Sequence, residues 1–117
     1  MLITTTPTIV GHRIAAVHGE VFGLVVRSRG LGPNLLAGLR SFGGGEILEY
    51  TRLLEETRQQ AISRLEERAQ ATGGNAIVSM RFDSSAMSGY MSEIVAYGTA
   101  VTVVPEAGAA QPDPAQE

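Results

Sequence analysis

Two histidines and one glutamate are the residues of this sequence best suited to bind a metal ion. His12 and His18 are six residues apart in a run rich in Val and Ile, and Glu93 opens a second apolar run. On a continuous strand the two histidines would share a face and lie about 20 Å apart. Because zinc–nitrogen bonds are about 2 Å long, one ion cannot reach both within one subunit. We therefore expect hydrogen-bonded or partly exposed histidines. The alternative is an ion on a symmetry axis, bound by one histidine or carboxylate from each subunit.

Glu93 has an unusual setting for a carboxylate, because the residues that follow it are mostly apolar. Side-chain alternation places it on the same side of a strand as Val95 and Tyr97, where it would be partly buried. A buried carboxylate needs a partner. We expect Arg81 on the neighbouring strand to supply it, in a structural ion pair at a subunit boundary. The alternative is a hydrolase that uses Glu93 or Asp83.

The sequence contains none of the short motifs that identify common enzymes. It has no cysteine, which excludes a thiolate nucleophile or metal ligand. The patterns GxSxG and HExxH, the Walker-type phosphate loop and a GxGxxG that opens a helix after a strand are absent. The glycines Gly43–Gly45 precede a predicted helix, but Glu46 stands where a bound anion would lie. A flexible joint is the favoured interpretation, and we expect a protein without catalytic activity.

Composition and charge restrict the partners of the chain. The 117 residues suit one domain, and 44% of them are hydrophobic. Three of the twelve acidic residues lie beyond position 104, which leaves residues 1–104 formally neutral with nine acidic and nine basic residues. This balance does not favour binding to nucleic acid. A basic leader and a long apolar run are both absent, so we expect a cytoplasmic protein that does not bind membranes.

Hydrophobic periodicity predicts a single α+β domain over residues 1–104 and a disordered acidic tail over residues 105–117. The predicted elements are strands at Leu2–Thr5, His12–Val26, Ala76–Asp83 and Ser92–Val104, a short helix at Asn34–Phe42, a long helix at Glu46–Thr72 and a hairpin loop at Ser84–Gly89. The apolar or small positions of the long helix recur in steps of three and four: Ile47, Tyr50, Leu54, Thr57, Ala61, Leu65 and Ala69. They predict one buried stripe.

The two longest predicted strands are apolar on both faces. The last strand places Ile94, Ala96, Ala100 and Val104 on one side and Val95, Tyr97, Val101 and Val103 on the other. The first long strand places Ile14, Ala16, Phe22 and Leu24 on one side and Ala15, Val17, Val21 and Val25 on the other. One long helix covers one face, so we expect identical subunits to cover the second. The alternative is that the short helix and the N-terminal segment close that face within one subunit.

Several patterns in order resemble a known family: TTPT (Thr5–Thr8), HGEVFG (His18–Gly23), GGGEILEYTRLLEETRQQAISRLEERA (Gly43–Ala69), GGNAIVSMRF (Gly73–Phe82) and MSEIVAYGTAV (Met91–Val101). Together they resemble the YbjQ-like family of small bacterial and archaeal proteins, which are often labelled heavy-metal-binding. The resemblance covers about residues 1–104.

The resemblance implies a dodecin-like α+β subunit, with a helix packed on a small antiparallel sheet. It also implies a homo-oligomer, in pentameric rings that sometimes pair into decamers. By matching position, it implies that Tyr50, Glu93, Tyr97 and Gly98 serve assembly or line a pocket. A divalent metal ion is the cofactor that the family label suggests, with His12, His18 and Glu93 as candidate ligands. The absence of cysteine does not favour a heavy-metal site. We expect an oligomeric binding or scaffold protein, with metal binding as the alternative.

Overall fold

The computed structural model describes residues 1–28, 48–88 and 91–106. In these ranges, one helix packs on a four-stranded sheet. The elements are β1 (Leu2–Ile3), β2 (His12–Ser28), α1 (Leu48–Ala71), β3 (Ala76–Ser88) and β4 (Met91–Pro105). The strand order is β1-β3-β4-β2. The predicted short helix at 34–42 and the tail beyond Glu106 lie outside the described residues.

The sheet is mixed, so the expected antiparallel sheet is wrong at one edge. The strands β2, β3 and β4 are antiparallel to their neighbours, but β1 runs parallel to β3. After β1 the chain continues along β3, where the Thr4 N–H donates to Ile77 O at 2.9 Å. It then crosses the sheet and enters β2 at the opposite edge. A strand of two residues is too short to reveal its direction from a sequence pattern.

The helix buries its C-terminal half against the sheet. Thr57, Ala61, Leu65 and Ala69 are buried as predicted, whereas Leu54 is 41% exposed. The helix ends where the Gly73 N–H donates to Gln70 O and Gly73 adopts a φ of 88°. A residue with this φ is most easily a glycine.

The main core lies between α1 and the near face of the sheet. It contains Val21 and Val25 of β2, Ile77 of β3, Ile94, Ala96 and Ala100 of β4, and Ala61, Leu65 and Ala69 of α1. Burial of the Leu65 side chain contributes about 2 kcal/mol. Gly23 brings helix and strand into backbone contact, because a Cβ there would collide with Ala61 O and Leu65 N.

A second, smaller core lies on the opposite side of the sheet, called the far face below. Ala76, Val78, Val101 and Val103 are buried there, and Ile9 of the N-terminal segment packs against them. These residues are called the covered half of the far face. Asn75, just before β3, bonds to the backbone of β4 beyond the last pair of the two strands. Its side chain donates to Val103 O at 3.0 Å and accepts from Val103 N at 2.8 Å.

Two bulges in β2 change the predicted faces of that strand. The register shifts between Ile14 and Ala16 and again between Val17 and Gly19. Each shift adds one residue, so Val17 is opposite Val101 and lies on the far face rather than with Val21. Ala16, opposite Thr102, moves to the near face. Sequence alternation alone therefore assigned Ala16 and Val17 to the wrong sides.

The two strands of the hairpin, β3 and β4, are longer than predicted. Residues 84–88, expected to form a loop, continue β3 and pair with β4 out to Met91. A third bulge lies between Val78 and Arg81, where Ser79 adopts a φ of 54°. It directs two successive N–H groups, of Ser79 and Met80, towards Thr6 O and Thr4 O.

The free edge of β2 is bordered by the helix. Arg64 donates from Nη1 to Leu24 O, and Arg27 donates to Gln60 Oε1 at 3.0 Å. Together these contacts orient α1 antiparallel to β2.

Candidate functional site

The far face contains an apolar surface that no described residue covers. Beyond the covered half, cross-strand pairs align Phe22 with Tyr97 and Leu24 with Val95, and Val26 lies one step further along β2. These five residues are called the open strip. Four of them are between 37% and 44% exposed, and Val95 is half-buried. Exposed apolar side chains this close together are typical of an interaction surface.

Arg81 marks the boundary between the covered half and the open strip. Its Nη1 donates to Thr5 O at 2.8 Å and to Met80 O at 2.9 Å, so it holds the N-terminal segment against β3. Its cross-strand neighbour is Tyr97, the first residue of the open strip.

Glu93 lies at the far end of the open strip and is half-buried, as predicted. Its expected ion pair with Arg81 is wrong, because the register places Glu93 opposite Ser85 and Arg81 opposite Tyr97. Four residues along a strand separate the two pairs by about 13 Å. Instead, Ser85 Oγ lies 3.3 Å from Glu93 Oε2 and donates to it. The arrangement gives the carboxylate a weak hydroxyl partner.

The two histidines make separate hydrogen bonds. His12 Nδ1 lies 3.2 Å from Val10 O, and His18 Nε2 lies 2.7 Å from Thr102 Oγ1. His18 occupies the second bulge of β2 and also lies close to Gly74. The structure therefore does not bring His12, His18 and Glu93 together. Within residues 1–28, 48–88 and 91–106, no three His, Asp or Glu side chains are grouped as a metal site would require.

Of the remaining predicted site residues, Tyr97 and Gly98 lie on opposite faces of β4. Tyr97 is 38% exposed on the far face. Gly98 is buried on the near face, where a Cβ would lie 2.8 Å from Ile77 Cγ2 and 3.0 Å from Val78 O. The glycine allows the bulge of β3 to pack closely against β4. Tyr50 lies in α1, and its side chain falls outside the described residues.

Phe22 and Arg68 are site residues that sequence reasoning did not identify. The Arg68 guanidinium lies over the Phe22 ring, 5.3 Å from its centroid, in a cation–π contact. Phe22 was predicted to be one of many apolar strand residues. Its position beside Tyr97 depends on a register that the bulges of β2 determine, and no sequence signal specifies both bulges.

Taken together, the described residues define a small α+β protein in which one helix packs on a four-stranded mixed sheet, and none of them covers part of the opposite face. A family model described as "Putative heavy-metal-binding", YbjQ_1, matches residues 1–104. The chain belongs to this family, as the sequence resemblance indicated.

Curated relatives come from archaea and bacteria. A UPF0145 protein of Methanoregula boonei is 54% identical over 112 residues, which cover 96% of this chain and 93% of that protein. A UPF0145 protein of Bradyrhizobium is 53% identical over 105 residues, covering 90% and 95%. Their shared name describes no activity.

Among solved structures, the fold is similar to a crystal structure of a protein of unknown function from Pediococcus pentosaceus, assigned to the DUF74 family. The TM-score is 0.60 at 17% identity, and the match covers 89% of this chain and 98% of that one. This likeness supports the fold. In the described part of the chain, no helix is both long and apolar enough to span a membrane.

Proposed function

We propose that this protein is a non-enzymatic homo-oligomer that binds a small ligand or an ion at its subunit interfaces. The observation that carries the proposal is the open strip, a row of half-exposed apolar side chains beside an already covered half of the same face. Burial of such a surface is favourable by roughly 25 cal/mol per Å² of apolar area. Identical subunits can bury it in a closed symmetric assembly.

The exposed end of the helix supports the same proposal. Leu54 continues the stripe of Thr57, Ala61 and Leu65, but it is 41% exposed while those residues are buried. The stripe therefore extends beyond the surface that the described sheet covers, and a neighbouring subunit is the partner we propose for it. A pentameric ring, alone or paired into a decamer, and a dodecin-like subunit rest on the family resemblance.

The proposal includes a cytoplasmic protein without nucleic-acid or membrane partners. The neutral charge balance of residues 1–104 supports the first exclusion. The absence of a sequence motif for catalysis supports a binding rather than an enzymatic role.

The test compares two variants by native mass spectrometry and light scattering. Leu24→Glu places a charge in the open strip, whereas Val10→Glu places one at a residue that is already 98% exposed. We expect the first variant to dissociate and the second to retain the mass of the wild-type assembly, with unchanged circular dichroism in both. A wild-type protein that is a stable monomer at micromolar concentration would contradict the proposal, as would a Leu24→Glu variant of wild-type mass.

Metal binding is a second candidate, favoured by the description of the family. The described residues of one subunit contain no group of three ligands, so in this second proposal the ion is bound by equivalent residues of several subunits. His12, His18 and Glu93 are the candidates. Equilibrium dialysis with elemental analysis tests this: a storage protein retains more than one metal ion per assembly and loses them in His18→Ala or His12→Ala. Retention of one ion or fewer dismisses storage.

A further inference from the structure

Four residues form a row across the sheet at the end of the open strip that borders the covered half. Arg81 of β3, Tyr97 of β4 and Phe22 of β2 are direct cross-strand neighbours. Arg68 of α1 continues the row, since its guanidinium lies over the Phe22 ring. The sequence along the row is cation, ring, ring, cation. We call it the arginine–aromatic row.

In a single subunit, the rings of this row are accessible to a ligand. Phe22 is 44% exposed and Tyr97 is 38% exposed. Aromatic side chains on a sheet are stacking surfaces for planar rings. Arg81 uses Nη1 for its two carbonyl bonds, and a guanidinium carries three further N–H donors on Nε and Nη2. These donors suit a carboxylate or phosphate group.

Acidic residues limit the row on both sides. Asp83 follows Arg81 by two residues on β3, and Glu20 precedes Phe22 by two residues on β2. The register places them in the two rows that flank the arginine–aromatic row on opposite sides. A long polyanion that runs parallel to the strands would be repelled by these carboxylates. A ligand that lies across the strands, within one row, would avoid them. Its length is limited by the three adjacent strands, which span about 10 Å.

From this arrangement we infer that the arginine–aromatic row binds a planar aromatic anion of about mononucleotide size, with its ring on Tyr97 and Phe22 and its acidic group at Arg81. Charge complementarity selects the anion, and the flanking carboxylates restrict its length. The inference deepens the proposed function, because it names the class of ligand at the same face, and it rests on that proposal.

The test uses the full chain and three probes: adenosine 5′-monophosphate, adenosine and inorganic phosphate. By isothermal titration calorimetry, we expect the monophosphate to bind about tenfold or more tightly than adenosine, since a charged hydrogen bond is lost with the phosphate. Inorganic phosphate alone should bind weakly, because it lacks the stacking contact. Equal affinities for the monophosphate and adenosine would overturn the inference, and so would no binding of the monophosphate.

Matched variants locate the site. Arg81→Gln and Phe22→Leu should each weaken monophosphate binding by about tenfold. Arg52→Gln, which removes another exposed arginine, from the helix, should leave it unchanged. If Arg52→Gln weakens binding as much as Arg81→Gln, the anion is bound nonspecifically and the inference fails. Because Arg81 also holds the N-terminal segment, Phe22→Leu provides the independent second variant.

The mass of each sample separates this inference from the proposed function. An assembled wild-type protein that does not bind the monophosphate contradicts the ligand class and leaves the oligomer intact. A monomeric protein contradicts the proposed function, whatever it binds.

Discussion

The covered half of the far face and the open strip have similar apolar sequences but opposite exposures. On β4, Val101 is fully buried, whereas Tyr97, four residues earlier on the same side, is 38% exposed. Ile9 of the N-terminal segment packs against the buried cluster that contains Val101. Strand alternation determines which side chains reach a face. In the described part of the chain, the residue that covers this face outside the strands is Ile9, which lies in an irregular segment.

The largest expected effect contrasts the two ends of the helix stripe. Leu65→Ala should lower the free energy of unfolding by about 2–5 kcal/mol, because it leaves a cavity in the main core. Leu54→Ala should lower it by less than about 1 kcal/mol in a dissociated subunit, since that side chain is already 41% exposed. Urea unfolding of both variants measures the difference. Equal losses would mean that the two ends of the stripe are equally buried.

The next prediction concerns the two halves of the far face directly. Val101→Ala should cost about 2 kcal/mol of unfolding free energy, because Val101 is fully buried. Val26→Ala, at a side chain 43% exposed, should cost less than about 1 kcal/mol at high dilution. If subunits cover the open strip, the cost of Val26→Ala will increase with protein concentration while that of Val101→Ala will not. If the cost in unfolding free energy is independent of protein concentration for both variants, neighbouring subunits do not cover the open strip.

A smaller effect is expected at the edge of the covered half. Asn75→Ala removes two hydrogen bonds to the backbone of Val103 and should cost about 1–2 kcal/mol. Hydrogen exchange should accelerate at the Val103 amide. Gln70→Ala, at an exposed helix position, serves as the control and should leave that amide protected. Unchanged exchange in Asn75→Ala would show that β4 is held there by other contacts.

The smallest effect is expected at Glu93, the polar end of the open strip. Glu93→Gln keeps the shape of the side chain and an oxygen that can accept from Ser85. The stability should therefore change by less than about 0.5 kcal/mol. Thermal unfolding provides the measurement. A loss above about 2 kcal/mol would indicate a strong charged partner for this carboxylate.

The regular parts of the fold could be predicted from the sequence, and the irregular parts could not. The period of the helix identified Ala61, Leu65 and Ala69 as core residues, because a 24-residue helix repeats its pattern many times. The bulges at Ala15 and His18 each insert one residue and reverse the sides that follow. Gly19, with a φ of 111°, is a local signal for the second bulge, but no residue type distinguishes the bulge at Ala15 from continued strand.

The candidate site was predicted in part for the same reason. Tyr97 and Glu93 lie on the face expected, since β4 continues without a bulge opposite β2 at these positions. The prediction that Arg81 pairs with Glu93 was wrong, because the bulge at Ser79 and the extension of β3 set a register that the sequence does not specify. The position of Phe22 beside Tyr97 depends instead on the register of β2 against β4, which the bulges of β2 determine.

The contact between Arg64 and Leu24 bears on how this chain avoids aggregation. β2 is an edge strand of 17 residues, and a long free edge is a template for fibril-like addition of foreign strands. At Leu24 the carbonyl oxygen is already occupied by a guanidinium from the helix. A strand that approached this edge would have to displace a bulky cation before its own amide could bond, so the helix protects the edge as well as the core.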